Sequence, residues 1–461
     1  MKHLREYAEY LICFLLLAIV FGGTLFLNQN QPPLDTRTYA ETLFDNSRVH
    51  KIEIFINDAD KTRLWENAIY KPKLHVNVSV DGEMLSNVSF STHGNATLAN
   101  NFELNNYGVY SYKIIFNYFN EAQTYRGLDK LILKYPIEDI SWIREAMTTA
   151  IFQAADVPVS LTSYAEVFIN GESQGLRILQ EEVSSSFQAR NNLSQNSAIF
   201  KPEAINVDRD RYIKYQARLP EGQLNTLDQE KLPSFGGGAE LIFHGNQSSD
   251  YPDIFENAIK KYSPAEEVLV INAIKALCES KSVSDYWNLT EIANYFAAQN
   301  LIFDMDGYTG AIAHNYYLVI NNGKLELYPW DNGHSAKNDW LNAWPNLAER
   351  FTSWPIDELL QPELPTSYRP LWQTIVSSAE TLAKYHGAFD NILKNTSNLF
   401  TVREELMRQY TMIRPYFDRT SASAFTDSDR DAEFLSILDF LEKRANSIND
   451  QLQEKAPTTF E

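Results

Sequence analysis

Cysteine is nearly absent from this chain, with only Cys13 and Cys278 among its 461 residues. Cys13 lies inside an amino-terminal apolar run, which leaves Cys278 as the single cysteine of the remaining sequence. Disulfide bonds therefore play no part in the predicted fold. Cys278 follows the apolar segment VLVINAIKAL, so we expect it on a buried helix face, where a thiol is chemically inert.

Basic side chains are also scarce. The chain has 40 Lys and Arg residues against 60 Asp and Glu residues, which gives a formal net charge of −20 at pH 7. Such a chain repels a phosphate backbone, and its Lys and Arg residues occur only as scattered pairs, so nucleic acid is excluded as a partner. Two interpretations of the negative charge stay open: attraction of a basic protein substrate, or simple maintenance of solubility.

The sequence also lacks a P-loop and internal repeats. Its glycine run at 236–238 is not followed by Lys and then Ser or Thr, so it predicts a flexible connection. The composition is that of a globular protein, because 44% of the residues are hydrophobic and 13% are aromatic. A chain of 461 residues is long enough for two lobes of ordinary domain size and a tail.

The amino terminus carries a long apolar run. Residues 10–27 include no charged side chain, and Lys2 and Arg5 precede them. This length can just span a bilayer, so we predict a transmembrane signal-anchor, with 1–9 in the cytoplasm and 28–45 as a polar tether. The prediction is a single-pass membrane protein with an extracytoplasmic ectodomain. A cleaved signal peptide is the alternative, although GGTLFLNQN offers a poor cleavage site.

The segment DMDGYTGAIAHNYYLVINNGKLELYPWDNGH, at 304–334, is the most informative part of the chain. Asn-Asn-Gly at 321–323 predicts a hairpin, and Asp306, Asn315 and Asp331 flank it. In kinase-type phosphoryl transfer, one Asp receives the hydroxyl proton while an Asn and another Asp hold magnesium. Carboxylate and amide oxygens suit that hard cation. The alternative is that these side chains are solvated turn residues.

Capping patterns predict several local structures. A helix is expected over 139–155, and others begin after Ser263 and near Asn288, the last ending just before Asp304. Residues 88–98 predict a strand, a turn containing glycine and a second strand. These elements place the candidate residues on strands, on a helix and on loops.

Further segments accompany this motif in a fixed order. Upstream of HNYYL and LYPWD are YSYKIIF at 110–116, DISWIREAM at 139–147, YAEVFINGESQGLRILQEEV at 164–183 and IFKPE at 199–203. Together they resemble the signature of the spore coat protein H (CotH) kinase family, and the resemblance covers most of the chain.

This resemblance implies an α+β, two-lobed protein-kinase-like fold. A β-rich amino-terminal lobe is expected over 46–205, a connector over 206–262 and a helical carboxyl-terminal lobe over 263–455. The implied activity is transfer of the γ-phosphate of ATP, with Mg²⁺, to Ser or Thr of a protein substrate.

The resemblance also assigns roles to individual residues. Asp306 is the expected catalytic residue, and Asn315 and Asp331 are the expected magnesium ligands. Lys113, on a predicted strand, is the candidate phosphate-binding lysine. Glu145, on the helix that follows, is its expected carboxylate partner.

Four other residues complete the expected nucleotide site. Arg144 is an additional phosphate contact, and Gly94 marks the turn whose backbone N–H groups face the phosphates. Glu181 matches the acidic residue bordering the nucleotide pocket in the family, whereas Glu182 is expected to face water. Lys201, within IFKPE, is a second phosphate contact.

The chain departs from the family pattern at two places. Ser91, Thr92 and His93 precede the turn glycine where the family carries basic residues in a pattern such as R-x-K-G. Gly333 stands where the family has a second Asp shortly after PWD. These departures predict weaker phosphate binding at the turn and an altered second metal site.

Two other functions therefore stay open. One is a non-catalytic scaffold for envelope or coat assembly on a degenerate kinase fold. The other is a glycosidase, which would use Asp304 or Asp306 together with Glu181 as its carboxylate pair.

Overall fold

The computed structural model describes residues 38–94, 96–104, 106–203, 239–310, 313–338, 341–342, 344–361, 363–419 and 425–460. The strands, β1 to β11 in chain order, are His50–Phe55, Leu74–Val80, Glu83–His93, Ser111–Ile115, Lys130–Lys134, Thr162–Ile169, Glu172–Glu181, Ile199–Phe200, Ala258–Lys260, Tyr316–Asn321 and Lys324–Pro329. The α-helices are Tyr39–Thr42, Asp58–Glu66, Ala96–Glu103, Arg144–Ala154, Ser185–Arg190, Pro252–Phe255, Pro264–Glu279, Val283–Tyr286, Leu289–Leu301, Pro345–Ala348, Pro370–Val376, Ala379–Asn395, Phe400–Ile413 and Asp427–Leu452.

Seven strands form a closed barrel in the order β1-β2-β3-β4-β5-β7-β6. Neighbouring strands are antiparallel except at the closure, where β1 pairs in parallel with β6, from His50 opposite Ala165 to Ile54 opposite Ile169. Successive strand residues face opposite sides of a sheet, so alternate apolar side chains point inward. The core that they form includes Ile54, Val78, Phe90, Ile114, Leu133, Val167 and Leu179.

The outer face of the barrel joins it to the rest of the protein. On β5, Leu131 and Leu133 belong to the barrel core, whereas Ile132 between them packs into a second and larger core. On β7, Leu179 lies inside and Ile178 outside in the same way. The larger core also contains apolar residues of β10, β11 and the carboxyl-terminal helices.

A second sheet has four strands in the order β11-β10-β8-β9. Strand β8 pairs with β10, with Phe200 opposite Leu318, and with β9 on its other edge. This sheet therefore joins segments from both sides of the predicted connector 206–262. Most of that connector, 206–238, lies outside the described residues.

Two predicted hairpins are confirmed. Asn170 and Gly171 connect β6 to β7, and Asn322 and Gly323 connect β10 to β11. All four residues have positive φ, from 49° at Asn322 to 81° at Gly171. Asn and Gly adopt this conformation at low cost, which is why such pairs favour tight turns between antiparallel strands.

The helices predicted from capping patterns are present, with one shift. Ser263 caps Pro264–Glu279 through a capping box, and the side chain of Asn288 caps Leu289–Leu301. The helix predicted to begin at residue 139 begins instead at Arg144. The Asp139 carboxylate accepts hydrogen bonds from the backbone N–H groups of Ser141 and Arg144, at 3.1 and 2.8 Å, so a side-chain turn replaces the first helical turn.

Two other local predictions are wrong. The expected second strand within 88–98 is the helix Ala96–Glu103, which begins just after the turn at Gly94. Cys278 is exposed, and not buried, although the helix that carries it packs against the core through Ile274 and Leu277. The apolar segment that precedes this cysteine therefore includes residues on the exposed side of the helix as well as on its buried side.

The predicted two-lobed protein-kinase-like fold is wrong. Strands β1 to β7 close into a barrel through the pairing of β1 with β6, two segments more than 100 residues apart in the chain. Alternation of apolar residues specifies which side chains face a core, but it does not specify which strand edges pair. The closure is therefore a tertiary property that the sequence pattern does not reveal.

The predicted single-pass membrane topology is corrected as well. Among the described residues, every helix is too short or too polar to cross a membrane. The predicted span at 10–27, its cytoplasmic segment 1–9 and most of the tether 28–45 lie outside the described residues.

Candidate active site

A cleft opens where the outer face of the barrel meets the chain that follows β11. The residues lining this cleft are His93, Gly94, Thr97, Ser111, Lys134, Tyr135, Pro136, Ile137, Glu138, Asp139, Gln180, Trp330, Asp331 and Gly333.

Asn315 connects the three residues predicted at the centre of the site. Its Nδ2 donates to Oδ2 of Asp306 at 2.7 Å and to the backbone oxygen of Asp331 at 3.2 Å. Its own backbone oxygen accepts a hydrogen bond from the N–H of Trp330 at 3.1 Å. The structure therefore brings Asp306, Asn315 and Asp331 together, with Oδ1 of Asn315 left as an acceptor on the amide.

Two of these positions have an uncommon backbone conformation. Asn315 and Asp331 both have a φ of 53°, in the left-handed region. Among residues with a side chain, Asn and Asp adopt this conformation most readily, so these residue types suit both positions. The hairpin β10–β11 holds both residues, since one precedes β10 and the other follows β11.

Asp304 and Asp306 differ in the hydrogen bonds that their carboxylates accept. Asp304 is fully buried, accepts a hydrogen bond from Nδ2 of Asn332 at 2.7 Å, and accepts another from the N–H of Asp306 at 3.2 Å. Burial raises the pKa of Asp304 to about 6 and raises the pKa of Asp306 well above its ordinary value. Oδ1 of Asp306 is buried and has no hydrogen-bond partner among the described residues.

The loop after Asp306 needs glycine at two positions because other atoms approach very closely. A Cβ at Gly307 would lie 1.9 Å from Nε2 of Gln299, and a Cβ at Gly310 would lie 1.6 Å from the backbone oxygen of Met305. Both distances are far below van der Waals contact. These glycines therefore allow the loop to fold tightly against its own start and against the helix Leu289–Leu301.

Lys134 is a candidate site residue that sequence reasoning missed. Its ammonium group forms ion pairs with the carboxylates of both Glu145 and Asp331. Burial opposes its charge, but these two carboxylates outweigh that effect and raise the pKa of Lys134. Burial raises the pKa of Glu145, whereas the charge of Lys134 lowers the pKa of Asp331, whose side chain is half exposed. The predicted pairing of Glu145 with Lys113 is therefore wrong.

A sequence signal for Lys134 exists in the β5 segment KLILK. The two leucines point into the barrel, so Lys130, Ile132 and Lys134 share the outer face. That face meets the larger core through Ile132, so Lys130 and Lys134, which flank Ile132, lie close to buried apolar residues. The alternation of residues along β5 therefore indicates that both lysines need negatively charged partners.

Lys113 pairs with Glu182 in place of Glu145. Its Nζ lies 2.5 Å from Oε1 of Glu182, and Nζ of Lys130 lies 4.0 Å from Oε2. Burial would raise the pKa of Glu182, but the two lysines lower it to about 2. The Glu182 side chain is only 5% exposed, so the prediction that it faces water is wrong.

Glu181 lies on the opposite side of the β7 strand from Glu182. It is fully buried, accepts a hydrogen bond from the Tyr39 hydroxyl at 2.5 Å and forms an ion pair with Arg190 at 2.6 Å. It is not among the residues that line the cleft. Because neighbouring strand residues face opposite sides, the two glutamates serve different surroundings. Pairing Glu181 with Asp304 or Asp306, as a glycosidase requires, is not supported.

The remaining predicted residues are divided between the cleft and the core. Gly94, with a φ of +106°, lines the cleft and turns the chain toward the helix Ala96–Glu103. Lys201 pairs with Glu203, and its Nζ lies 5.6 Å from the ring centroid of Trp330, which also lines the cleft.

Arg144 is a structural residue and does not line the cleft. It is 1% exposed and binds Asp139 at 2.8 Å, the backbone oxygen of Ser335 at 2.7 Å, and Glu433. These contacts tie the helix Arg144–Ala154 to the chain after β11 and to the last helix. The guanidinium of Arg144 therefore binds groups of the protein itself, and the predicted contact with a phosphate is not supported.

The site offers few side chains that could coordinate a metal ion without other ligands. Within the described ranges, no three His, Cys, Asp or Glu side chains are grouped so that they could hold one. Asn315 and Asp331 together provide an amide oxygen and a carboxylate that is half exposed. Magnesium commonly takes one or two protein ligands and completes its shell with phosphate oxygens and water, so this pair fits a magnesium ion that binds with a nucleotide.

Comparison with known protein families identifies the family of this chain. A family model described as CotH kinase protein matches residues 91–448, which include every candidate residue named above. The chain therefore belongs to the CotH kinase family. No curated protein matches it.

Proposed function

We propose that this protein is an ATP- and magnesium-dependent kinase that transfers the γ-phosphate to Ser or Thr residues of a protein substrate. The observation that carries the proposal is the arrangement around Asn315. This amide holds Asp306 and Asp331 in one place, 2.7 Å from an oxygen of the first and 3.2 Å from the backbone of the second. The ion pairs of Lys134 adjoin the same point.

Magnesium is assigned to Asn315 and Asp331. The amide nitrogen of Asn315 is occupied by two hydrogen bonds, so its oxygen is the atom left to act as a ligand. The Asp331 side chain is half exposed at the cleft and carries a lowered pKa, which keeps it ionised. When bound, magnesium and ATP supply the transferred phosphoryl group and neutralise its charge.

Lysines on the barrel bind the phosphates. Lys134 adjoins the metal ligand Asp331 and is oriented by Glu145, the relation that a kinase lysine has with its helix carboxylate. Lys113 and Lys201 extend the cationic surface on the side of Glu182 and Trp330. Gly94 brings backbone N–H groups to the same cleft.

Asp306 orients the attacking hydroxyl and accepts its proton. Oδ2 of Asp306 is held by Asn315, which leaves Oδ1 buried and without a partner among the described residues. A buried carboxylate oxygen without a hydrogen bond costs free energy, so a substrate donor at this position is favourable. The raised pKa of Asp306 makes it a stronger base than an ordinary carboxylate.

The protein substrate is assigned a basic character. The chain carries a formal net charge of −20, which attracts Lys- or Arg-rich segments and disfavours nucleic acid. Attraction of this kind raises the rate of encounter at low ionic strength.

The test is transfer of label from γ-labelled ATP to a basic protein in the presence of Mg²⁺. We expect labelling by the wild type and none by Asp331→Asn, because this variant loses the charged metal ligand. Asp390→Asn, at an exposed position of the helix Ala379–Asn395, is the matched control and retains full activity. Equal labelling by wild type and Asp331→Asn rejects the assignment.

Calorimetry separates catalysis from a scaffold function. A kinase of this mechanism binds Mg·ATP in the wild type, and the binding weakens in Asp331→Asn. Absence of Mg·ATP binding by the folded wild type would instead favour a non-catalytic assembly scaffold. The replacement of a carboxylate by Gly333 is the feature that makes this second function worth testing.

A further inference from the structure

Gln180 is a buried polar residue that lines the cleft. It lies near the end of β7 and is 3% exposed. In the barrel it is opposite Ile132 of β5 on one edge and opposite Thr162 of β6 on the other. Residues directly opposite each other on neighbouring strands share a face of the sheet, and Ile132 packs into the larger core outside the barrel. The Gln180 side chain therefore lies on the outer face of the barrel, where it needs hydrogen-bond partners.

The side-chain amide of Gln180 binds Glu145. Its Nε2 donates to Oε2 of Glu145 at 3.3 Å. The other oxygen of this carboxylate, Oε1, forms the ion pair with Lys134. The terminal torsion of a Glu side chain has only broad preferences, so contacts set the plane of the carboxylate. With one partner on each oxygen, the orientation of the Glu145 carboxylate is fixed.

Glu145 depends on these partners because it is buried. It is 3% exposed, in the first turn of the helix Arg144–Ala154. Burial raises its pKa, although the charge of Lys134 opposes this effect. Among the described residues, Gln180 provides the hydrogen bond to Oε2. A buried carboxylate oxygen that loses its donor costs free energy, so without this amide the carboxylate of Glu145 would turn away from its present position.

The contacts continue from Gln180 to the proposed metal ligand. Lys134 forms ion pairs with Glu145 and with Asp331, so its ammonium group is held between two carboxylates. Its position depends on both. If Glu145 turned away, Asp331 alone would hold the ammonium group, and the lysine would no longer have the orientation that Glu145 gives it.

Glutamine suits this position because it donates a hydrogen bond and carries no charge. A carboxylate here would repel Glu145, and also Glu182, two residues further along the chain, whose pKa is lowered to about 2 and which is therefore ionised. A lysine would compete with Lys134 for the same carboxylate. An apolar side chain would fill the space but leave Oε2 of Glu145 without a donor.

We propose that Gln180 is a positioning residue of the nucleotide site, which holds the carboxylate of Glu145 so that Lys134 meets the phosphates of ATP. This inference rests on the proposed function and adds a residue that acts without touching the nucleotide. Gln180 affects phosphate binding only through Glu145 and Lys134. Its replacement should therefore weaken nucleotide binding when Glu145 is present and have no effect when Glu145 is absent.

The first experiment is a double-mutant cycle on Mg·ATP affinity, measured by calorimetry with the full chain. Gln180→Met keeps the length of the side chain and removes the amide. We expect it to weaken Mg·ATP binding by about tenfold, since a hydrogen bond to a charged group is worth about that much. In the background of Glu145→Leu, the same change should alter the affinity by less than about twofold, because the carboxylate is gone. An equal loss in both backgrounds shows an effect of packing and overturns the inference.

A second variant tests whether the hydrogen-bond donor matters. Gln180→Glu keeps the length of the side chain, but the new carboxyl donates to Glu145 only when it is protonated. Two adjoining carboxylates hold a shared proton at acid pH and lose it at alkaline pH. Relative to the wild type at the same pH, we expect an affinity within about threefold at about pH 5.5 and a loss of more than about tenfold at about pH 8. An equal loss at both pH values overturns the inference.

Gln174→Met is the matched control. Gln174 lies on the same strand, donates to the backbone oxygen of Glu172 at 3.1 Å and is not among the described residues that line the cleft. Its replacement should leave Mg·ATP affinity unchanged. Thermal unfolding establishes that each variant is folded. If Gln180→Met does not fold, Gln180→Glu at the two pH values provides the test.

Failure of this inference is distinct from failure of the proposed function. Unchanged Mg·ATP affinity in Gln180→Met, with normal binding by the wild type, overturns the inference and leaves the proposed function standing. If the folded wild type binds no Mg·ATP, both are overturned.

Discussion

The proposed nucleotide site has a barrel side and a loop side, which carry opposite charges and are built in different ways. On the barrel side, lysines lie on regular strands, with Lys113 on β4 and Lys134 at the end of β5. On the loop side, Asp306, Asn315 and Asp331 lie in loops around the hairpin β10–β11, and each side contributes one of these residues, Lys134 and Asp331, to the lining of the cleft. A nucleotide with its magnesium ion needs both kinds of surface, because cations bind the phosphates and oxygen atoms bind the metal.

The difference in construction has a physical reason. Strand residues are held by the hydrogen-bonded ladders of the barrel, so the position of a lysine follows from the register of its strand. The loop residues are held by hydrogen bonds and close contacts, because Asn315 donates to Asp306 and to the backbone of Asp331, and Gly307 and Gly310 pack against Gln299 and Met305. Loops placed on a rigid scaffold are the usual location of catalytic groups.

The largest expected effect comes from the loop side. Asp306→Asn removes the proton acceptor but keeps a side chain of the same shape, so the rate of phosphoryl transfer should fall by about 10²- to 10⁴-fold. Calorimetry should give nearly unchanged Mg·ATP binding, because the metal ligands remain. Single-turnover transfer of labelled phosphate measures the rate, with Asp390→Asn as control. A rate within twofold of the wild type would remove Asp306 from the mechanism.

The next largest effect tests the barrel side. Glu182→Gln removes the carboxylate that forms an ion pair with Lys113 in a largely buried place. Because Glu182 has a pKa lowered from 4.5 to about 2, its ionised form stabilises the fold by about 3 kcal/mol at neutral pH. Thermal unfolding should show the variant to be less stable than the wild type by about this amount at pH 7.

The pH dependence of this difference has a definite sign. A carboxyl with a lowered pKa in the folded state contributes stability that is present above the unfolded pKa and is lost as the pH falls through the folded value. The gap between wild type and Glu182→Gln should therefore be constant above about pH 5 and shrink between 4.5 and about 2. A gap that persists at the acid end would show that the pair does not act through ionisation of Glu182.

The smallest effect sharpens the assignment of the metal site. A Cβ at Gly333 would meet no atom within 4 Å, so Gly333→Asp is accommodated without steric cost. The new carboxylate joins Asp331 at the cleft, and we expect the magnesium concentration for half-maximal nucleotide binding to fall by about three- to tenfold, about 1 kcal/mol. Gly333→Asn, which adds no charge, is the control. An equal effect of both variants would argue against a magnesium ion near position 333.

Local sequence signals predicted the pieces of this site well. Asn322 and Gly323 predicted the hairpin β10–β11, and the cap at Asn288 predicted the helix that leads to Asp306. The order of motifs predicted the family, whose match covers residues 91–448. These features depend on neighbouring residues, whose conformational preferences are short-range and can be read from the chain.

Pairings between distant residues could not be predicted in the same way. Glu145 binds Lys134 and not Lys113, and Glu182, not Glu181, meets the lysines. A shift of a single position on a strand changes the face on which a side chain lies. A motif therefore identifies the type of residue at a position, but it does not identify the distant residue with which that side chain pairs.

The sequence by itself determined the local turns, the helix caps, the family and the three polar residues that flank one hairpin, Asp306, Asn315 and Asp331. Only the tertiary structure decided that the barrel closes between β1 and β6, that Lys134 reaches both Glu145 and Asp331, and that Lys113 meets Glu182. The reason is that turns and caps are stabilised within a few residues, whereas strand-edge pairing and ion pairing depend on which distant surfaces are buried against one another.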